Sequence, residues 1–297
     1  MSATPVVQRL AVIGCGLMGG SFALALKSRG LVSEVAGYSS RESTRQRALS
    51  LGVIDLACDS VAQAVAGADV VLLAVPVQAT EVTLRALAPH LGAHTLLMDV
   101  GSTKCDVIAA AGQTLGLALP RFVPAHPITG KEVAGVEHAE AGLYAHRQVF
   151  LTPTADTDPR FTARAQALWL SVGSVVDTLD ASFHDRAFGA VSHLPHLLAF
   201  AYLNGLSAQT DGQRLIGLGG PGFRDFSRIA ASDPTVWRDI LLANREQVLK
   251  QLAHTTQALA ELEHAMREGD GQRLTDLIER SRQARTGWRM AGEPEPE

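Results

Sequence analysis

Cysteine is scarce in this chain, with Cys15, Cys58 and Cys105 the three among 297 residues. Their spacing fits neither a zinc-type arrangement nor a disulfide framework. No metal site is therefore expected, and the thiols read as buried or incidental. Also missing is any apolar run near the roughly 20 residues that a membrane-spanning helix needs. The opening MSATPVVQRLAVIG has no charged stretch leading into a long apolar one. No secretion signal is expected, and a cytoplasmic location is the default. No basic patch stands out, and the net charge is −4, so nucleic acid is not an expected partner. Internal repeats are absent too. What remains is ordinary globular composition, 46% hydrophobic and 19% charged, in a chain long enough for two domains.

The first half alternates. RLAVIG (Arg9–Gly14) reads as a buried parallel strand, GLMGGSFALALKSRG as a helix, EVAGY as a second strand and RESTRQRALSLG as a second helix. ADVVLLAVP and HTLLMDVG are continuous apolar runs, which suits strands buried on both faces. RFVPAHP, RQVFLTP and GSVVDTLD are shorter strand candidates. This pattern argues for an α/β, doubly wound domain of the Rossmann type over residues 1–179. From about Asp180 strand signals stop. ASFHDRAFGAVSHLPHLLAFAYLNGL and the two long segments after it have helical periodicity. Residues 180–290 are expected to form an all-α domain whose apolar faces exceed what it can bury alone, which points to a homodimer through the helices. The tail at 291–297, AGEPEPE, is expected to be disordered.

VIGCGLMGGS places Gly14, Gly16 and Gly19 in G-x-G-x-x-G order between a strand and a helix. The first glycine permits the tight turn, the second lets backbone approach a pyrophosphate, and the third lets helix and strand pack closely. The anion then rests on the helix N-terminus. These glycines, with Leu17 and Met18 between them, are the candidate dinucleotide contacts. An acid at the end of the second strand would hold the ribose 2′-hydroxyl of NAD. Here the sequence reads GYSSREST, with no acid where one is expected. Ser39, Ser40, Arg41 and Thr44 could instead donate to a 2′-phosphate, so NADP is favoured over NAD. The alternative is an exposed arginine at a helix start, with the cofactor choice made elsewhere.

Four later stretches group polar residues unusually: DVGSTK (Asp99–Lys104), HPITGKE (His126–Glu132), SHLPH (Ser192–His196) and GGPGFRDFSRIAASDPTVW (Gly219–Trp237). Together with GLMGGS they occur in an order that resembles the prephenate/arogenate (cyclohexadienyl) dehydrogenase family of tyrosine biosynthesis. The resemblance implies a Rossmann domain followed by a helical dimerisation domain. It also implies an oxidative decarboxylation, with hydride passing from ring C4 to NAD(P) and the ring carboxylate leaving as CO2. By the same resemblance His126 is the general base for the 4-hydroxyl, a role that suits an imidazole. Ser102 matches a serine that hydrogen-bonds that hydroxyl and the histidine. Arg228 matches the arginine that grips the ring carboxylate. His193 and His196 match histidines facing the substrate, and Trp237 matches a pocket aromatic, though a core tryptophan is nearly as good a reading. Arg224 is a weaker candidate than Arg228, since an arginine one helical turn away also suits a surface pair, and Glu132 and Asp225 match acids near the site entrance, where an ion pair or gate and solvated surface acids are equally good readings. Lys131 could meet a side-chain carboxylate, as prephenate would offer. Two other readings stay open: a β-hydroxyacid-dehydrogenase-like oxidoreductase, and a dinucleotide-binding sensor without turnover.

Overall fold

The computed structural model describes residues 6–131 and 133–289. Glu132 and the tail at 291–297 lie outside the described residues. In the first half, β1 (Val7–Ile13), α1 (Leu17–Ser28), β2 (Val32–Tyr38), α2 (Glu42–Ser50), β3 (Leu56–Ala57), α3 (Val61–Val65) and β4 (Val70–Leu73) alternate. Then come α4 (Thr80–Leu87), β5 (Leu96–Asp99), α5 (Cys105–Thr114) and β6 (Phe122–Val123). These strands form one six-stranded sheet in the order β3-β2-β1-β4-β5-β6, with each neighbouring pair parallel. A second, three-stranded sheet follows from β7 (Ala125–Pro127), β8 (Gln148–Leu151) and β9 (Val175–Thr178), with α6 (Pro159–Ser171) between β8 and β9.

The apolar runs are continuous because both faces of the main sheet are covered. Leu10 and Val12 of β1, Val70 and Leu72 of β4, and Leu96 and Met98 of β5 point into one core with Phe22, Tyr144 and Trp169. Ala11, Ile13, Val71, Leu73 and Leu97 point the other way, against Leu84, Leu87 and Val107. A polar residue at any of these positions would be buried without a partner, so the alternation seen in one-sided strands is absent. Because the strands run parallel, their carboxyl ends share one edge. Gly14, Ser39, Ala74 and the Val100–Lys104 loop all follow strand ends there, and Asp99 and Lys104 tether the start of β7, which carries His126, to the same edge.

RFVPAHP reads from the sequence as one strand, but the structure divides it. Phe122–Val123 join β5 in the main sheet, while Ala125–Pro127 pair with β8 in the other. The break falls at Pro124, which has no N–H for a ladder and whose carbonyl accepts from Thr152. Just beyond it, Asp99 and Lys104 clamp the chain. Asp99 Oδ1 accepts the Ala125 N–H at 2.9 Å, and Lys104 Nζ donates to the Ala125 carbonyl at 2.8 Å. The two side chains also form a fully buried ion pair with each other. The residue ahead of His126 is thus held by both of its backbone groups.

The remainder is helical: α7 (Ala181–Phe188), α8 (Leu194–Ser207), α9 (Gly212–Ile216), α10 (Pro221–Ser227), α11 (Pro234–Ala243), α12 (Arg245–Arg267) and α13 (Gly271–Arg285). The sequence reads as one long helix from Ala181 to about Leu206, but a π-type turn at Gly189–His193 separates α7 from α8. Pro195 explains it, since a proline lacks the N–H that would bond back one turn. No helix among the described residues is long and apolar enough to cross a membrane.

The buried pair yields a prediction. Lys104→Met would leave the Asp99 carboxylate buried without its cation. We expect a loss of about 3–5 kcal/mol in folding stability, read by urea denaturation; a loss below about 1 kcal/mol would mean that the pair does not hold this edge together.

Candidate active site

The glycine loop fits a dinucleotide. Gly14 has φ +104°, and a Cβ there would lie 2.2 Å from the Ala74 carbonyl oxygen, so only glycine fits. A Cβ on Gly19 would meet the Gly14 carbonyl oxygen at 2.4 Å, which is the close helix–strand packing expected of the third glycine. Gly16 faces open space, with nothing within 4 Å of where its Cβ would be. Gly16 caps α1 without a side-chain hydrogen bond, and the first turn carries no acid. Its N–H groups are therefore left for an anion. Leu17 is packed into the core, and the Met18 carbonyl accepts from Tyr144 Oη at 2.7 Å, so these two secure the loop from behind.

Ser39 stands at the end of β2, and its Oγ accepts the Cys15 N–H at 2.8 Å. Ser40 and Arg41 are exposed, Thr44 is half-buried on α2, and the Arg41 side chain pairs with none of the described residues. Arg45 is the basic residue that is tied down, to the Ser39 carbonyl at 2.7 Å and to Asp59 at 3.2 Å.

His126 lies at the end of the clamp, 9% exposed, against the ring of Phe188. Its Nδ1 is 2.8 Å from His184 Nε2, and His184 Nδ1 is 2.9 Å from Asp185 Oδ1. The Asp185 carboxylate also accepts the N–H groups of Lys104 at 2.8 Å and Cys105 at 2.9 Å, the start of α5. Burial alone would raise that carboxyl, but His184 and these N–H groups hold it below the ordinary range. Burial, then the neighbouring charges of His184, Lys104 and His193, press His126 well below its ordinary value, so the ring is neutral at neutral pH. Ser102 sits half-buried on the loop that Asp99 and Lys104 bracket, and its hydroxyl bonds to none of the described residues.

Four of the other expected residues, His193, His196, Arg228 and Trp237, form a second group on the helical side. His193, 1% exposed, accepts at Nδ1 from Asn244 Nδ2 at 3.0 Å, and the same amide donates to the Asp185 carbonyl at 2.7 Å. His196 stacks on Trp237, ring centroids 3.4 Å apart, and bonds through Nδ1 to the Ser192 carbonyl at 2.9 Å. Arg228 begins the short helical turn after α10, and its charge helps burial keep His196 unprotonated. Trp237 is half-buried and in ring contact with both His193 and His196. Lys131 does not present a free cation: it pairs with Glu140 at 2.9 Å and donates to the His138 carbonyl. Arg224 pairs with its neighbour Asp225 at 2.9 Å on the surface.

His184, Asp185, Asn244 and the pair Asp99–Lys104 are not singled out by the sequence. The adjacent His-Asp in ASFHDRAF was a visible signal, but helical periodicity alone gives it no direction. DVGSTK contained Asp99 and Lys104 without a reason to expect them buried.

A glycine loop shaped for an anion at the carboxyl edge of the parallel sheet, with a buried neutral histidine tethered through Ala125 to the end of β5, is the arrangement of an NAD(P)-dependent dehydrogenase. Sequence profiles described as prephenate dehydrogenase, nucleotide-binding domain, and prephenate dehydrogenase, dimerization domain, match residues 22–178 and 180–280. The chain is 35% identical over 284 residues to cyclohexadienyl dehydrogenase of Zymomonas mobilis, covering 94% of this chain and 96% of that one. It is 32% identical to prephenate dehydrogenase of Bacillus subtilis, covering 92% and 74%. Its fold matches the crystal structure of Aquifex aeolicus prephenate dehydrogenase in complex with hydroxyphenyl propionate and NAD+, with a TM-score of 0.87, 34% identity, and 96% and 99% of the chains covered. Synechocystis arogenate dehydrogenase gives a TM-score of 0.79 at 28% identity, covering 94% and 99%. The chain belongs to the prephenate dehydrogenase family.

The buried histidines make stability depend on pH. His193 is pushed down from 6.5 to about 4, chiefly by burial. Its folded value is below its unfolded one, so protons bind the unfolded chain first. The stability that the neutral ring contributes is whole above about pH 6.5, is lost on acidification towards about pH 4, and levels off below. For His193 alone the change is about 3 kcal/mol, and His126 and His184 shift in the same direction. Urea titrations across this range should show the decline, and His193→Gln should flatten it. An unchanged slope would mean that His193 is not held neutral.

Proposed function

We propose that this protein converts prephenate, arogenate or both to 4-hydroxyphenylpyruvate or tyrosine by oxidative decarboxylation. The observation that carries the reading is the placement of His126 at the dinucleotide edge, buried and uncharged, with its Nδ1 tied to His184. When bound, the oxidised nicotinamide supplies the acceptor for the C4 hydride. His126 takes the proton of the 4-hydroxyl, and Ser102 orients that hydroxyl. Arg228 grips the ring carboxylate through its planar fork. His193, His196 and Trp237 line the substrate pocket. The loop of Gly14, Gly16, Leu17, Met18 and Gly19 binds the dinucleotide: Gly16 leaves room for the pyrophosphate, Gly14 and Gly19 fix the turn, and Leu17 and Met18 secure it from behind.

We further propose that NADP is preferred. Support comes from the missing carboxylate at Ser39 and from the exposed, unpaired Arg41 beside it. A Rossmann unit over 1–179 and a helical unit over 180–290 complete the reading, with a cytoplasmic homodimer formed through the helices. Support for the dimer comes from α8, which buries only Leu194 and Ala199 within one chain, and from the exposed Val191, Leu218, Leu249 and Leu259.

The test is absorbance of the reduced nicotinamide with prephenate and arogenate, each paired with NAD and NADP. Turnover is expected in at least one pairing, with the higher kcat/KM for NADP; silence in all four would overturn the reaction. Ser39→Asp should move preference towards NAD by roughly tenfold or more, since its carboxylate repels a 2′-phosphate and can hold a 2′-hydroxyl. Arg228→Ala should lower kcat/KM about 100-fold, the loss of a charge-assisted bidentate contact.

A further inference from the structure

The hydrogen-bond chain behind His126 leaves no freedom in where its protons sit. The Asp185 carboxylate faces the N–H groups of Lys104 and Cys105 and the Nδ1 of His184. An ionised carboxylate only accepts, so His184 Nδ1 carries the hydrogen. Burial, against the opposing pull of Asp185, keeps His184 neutral, so its Nε2 bears a lone pair. That lone pair meets His126 Nδ1 at 2.8 Å. His126 Nδ1 must therefore donate, and its Nε2 is left as the acceptor. The opposite tautomer would set two lone pairs against each other.

We propose that His184 and Asp185 are positioning residues for the general base. They hold His126 as the Nδ1–H tautomer, present Nε2 to the substrate, and take over the charge when a proton arrives. This rests on the reading of His126 as the base. As hydride leaves C4, the hydroxyl O–H bond breaks, its electron pair forms the ring carbonyl, and the proton bonds to His126 Nε2. The Nδ1 proton passes to His184 Nε2, so the positive charge moves onto a ring in contact with the Asp185 carboxylate. When the ring carboxylate leaves as CO2, its bonding pair enters the ring and the oxygen becomes a phenolate. The phenolate takes the proton back along the same path, and no net proton is released.

The surroundings favour this direction of charge movement. Around His126 stand the apolar ring of Phe188 and the cationic or neutral groups of Lys104 and His193. The charge of Lys104 is compensated by Asp99, from the end of β5. Asp185 is the anion in direct contact with the two-ring chain. The link also crosses from the helical half to the sheet edge, which no local segment could supply.

The test uses full-length protein in four forms: wild type, His126→Asn, His184→Phe and Asp185→Asn. His184→Phe keeps a ring beside Phe188 but removes both hydrogen bonds. Its kcat should fall roughly 100-fold, with the substrate KM and the dinucleotide Kd within about threefold of wild type. In 15N spectra of histidine-labelled protein, His126 should carry its proton on Nδ1 in wild type and lose that single tautomer in His184→Phe. Turnover by His126→Asn would overturn the base itself. An inactive His126→Asn beside a His184→Phe with wild-type kcat would overturn the relay and leave the base standing. If the variants fail to fold, the wild-type spectrum still decides, because a proton on Nε2 of His126 is incompatible with the proposal.

Discussion

A single carboxylate, that of Asp185, joins the two halves of this molecule at the point where chemistry is expected. It comes from α7 and rests on the first N–H groups of α5, where the helix end is electropositive and its donors lack partners in the helix. Taking a carboxylate out of water costs several kcal/mol. Three charge-assisted hydrogen bonds offset that, each worth about 1.5–3 kcal/mol. The carbonyl of the same residue fixes Asn244, and through it His193. One residue thus orients two site histidines by two separate routes.

The second constraint is the buried pair of Asp99 and Lys104. It acts on backbone rather than on rings, gripping both polar groups of Ala125 and so setting where His126 begins. A buried ion pair contributes little net stability compared with apolar packing. Its use here is geometric: it also bends the Val100–Lys104 loop, which carries Ser102, towards the same edge. Ring orientation and backbone placement of His126 are therefore controlled by different charges, and burial keeps the ring neutral between them.

The cofactor side depends on apolar packing instead. Two cores cover the main sheet, and the loop after β1 is pressed against Ala74 so closely that Gly14 has no substitute. Tyr144, fully buried, ties the first turn of α1 to the segment leading into β8. The dinucleotide loop and the strand that pairs with the His126 strand thus share one core, so a change in either is felt by the other.

The parts legible in the sequence were those coded locally. Continuous apolar runs mark strands covered on both faces, glycine spacing marks a loop shaped for an anion, and ordered motifs single out His126, Arg228 and the paired histidines as candidates. Tertiary structure alone decided the rest. Pro124 sends one apparent strand into two sheets, because a ladder cannot pass a residue without an N–H. Pro195 opens a π-type turn where periodicity continues unbroken. His184 and Asp185 have the appearance of surface residues on a helix until contacts across 58 and 81 positions bury them. Side-chain period and turn chemistry are properties of neighbours in sequence. A hydrogen-bonded chain across two domains is a property of how they pack, and only the folded chain brings its members within bonding distance.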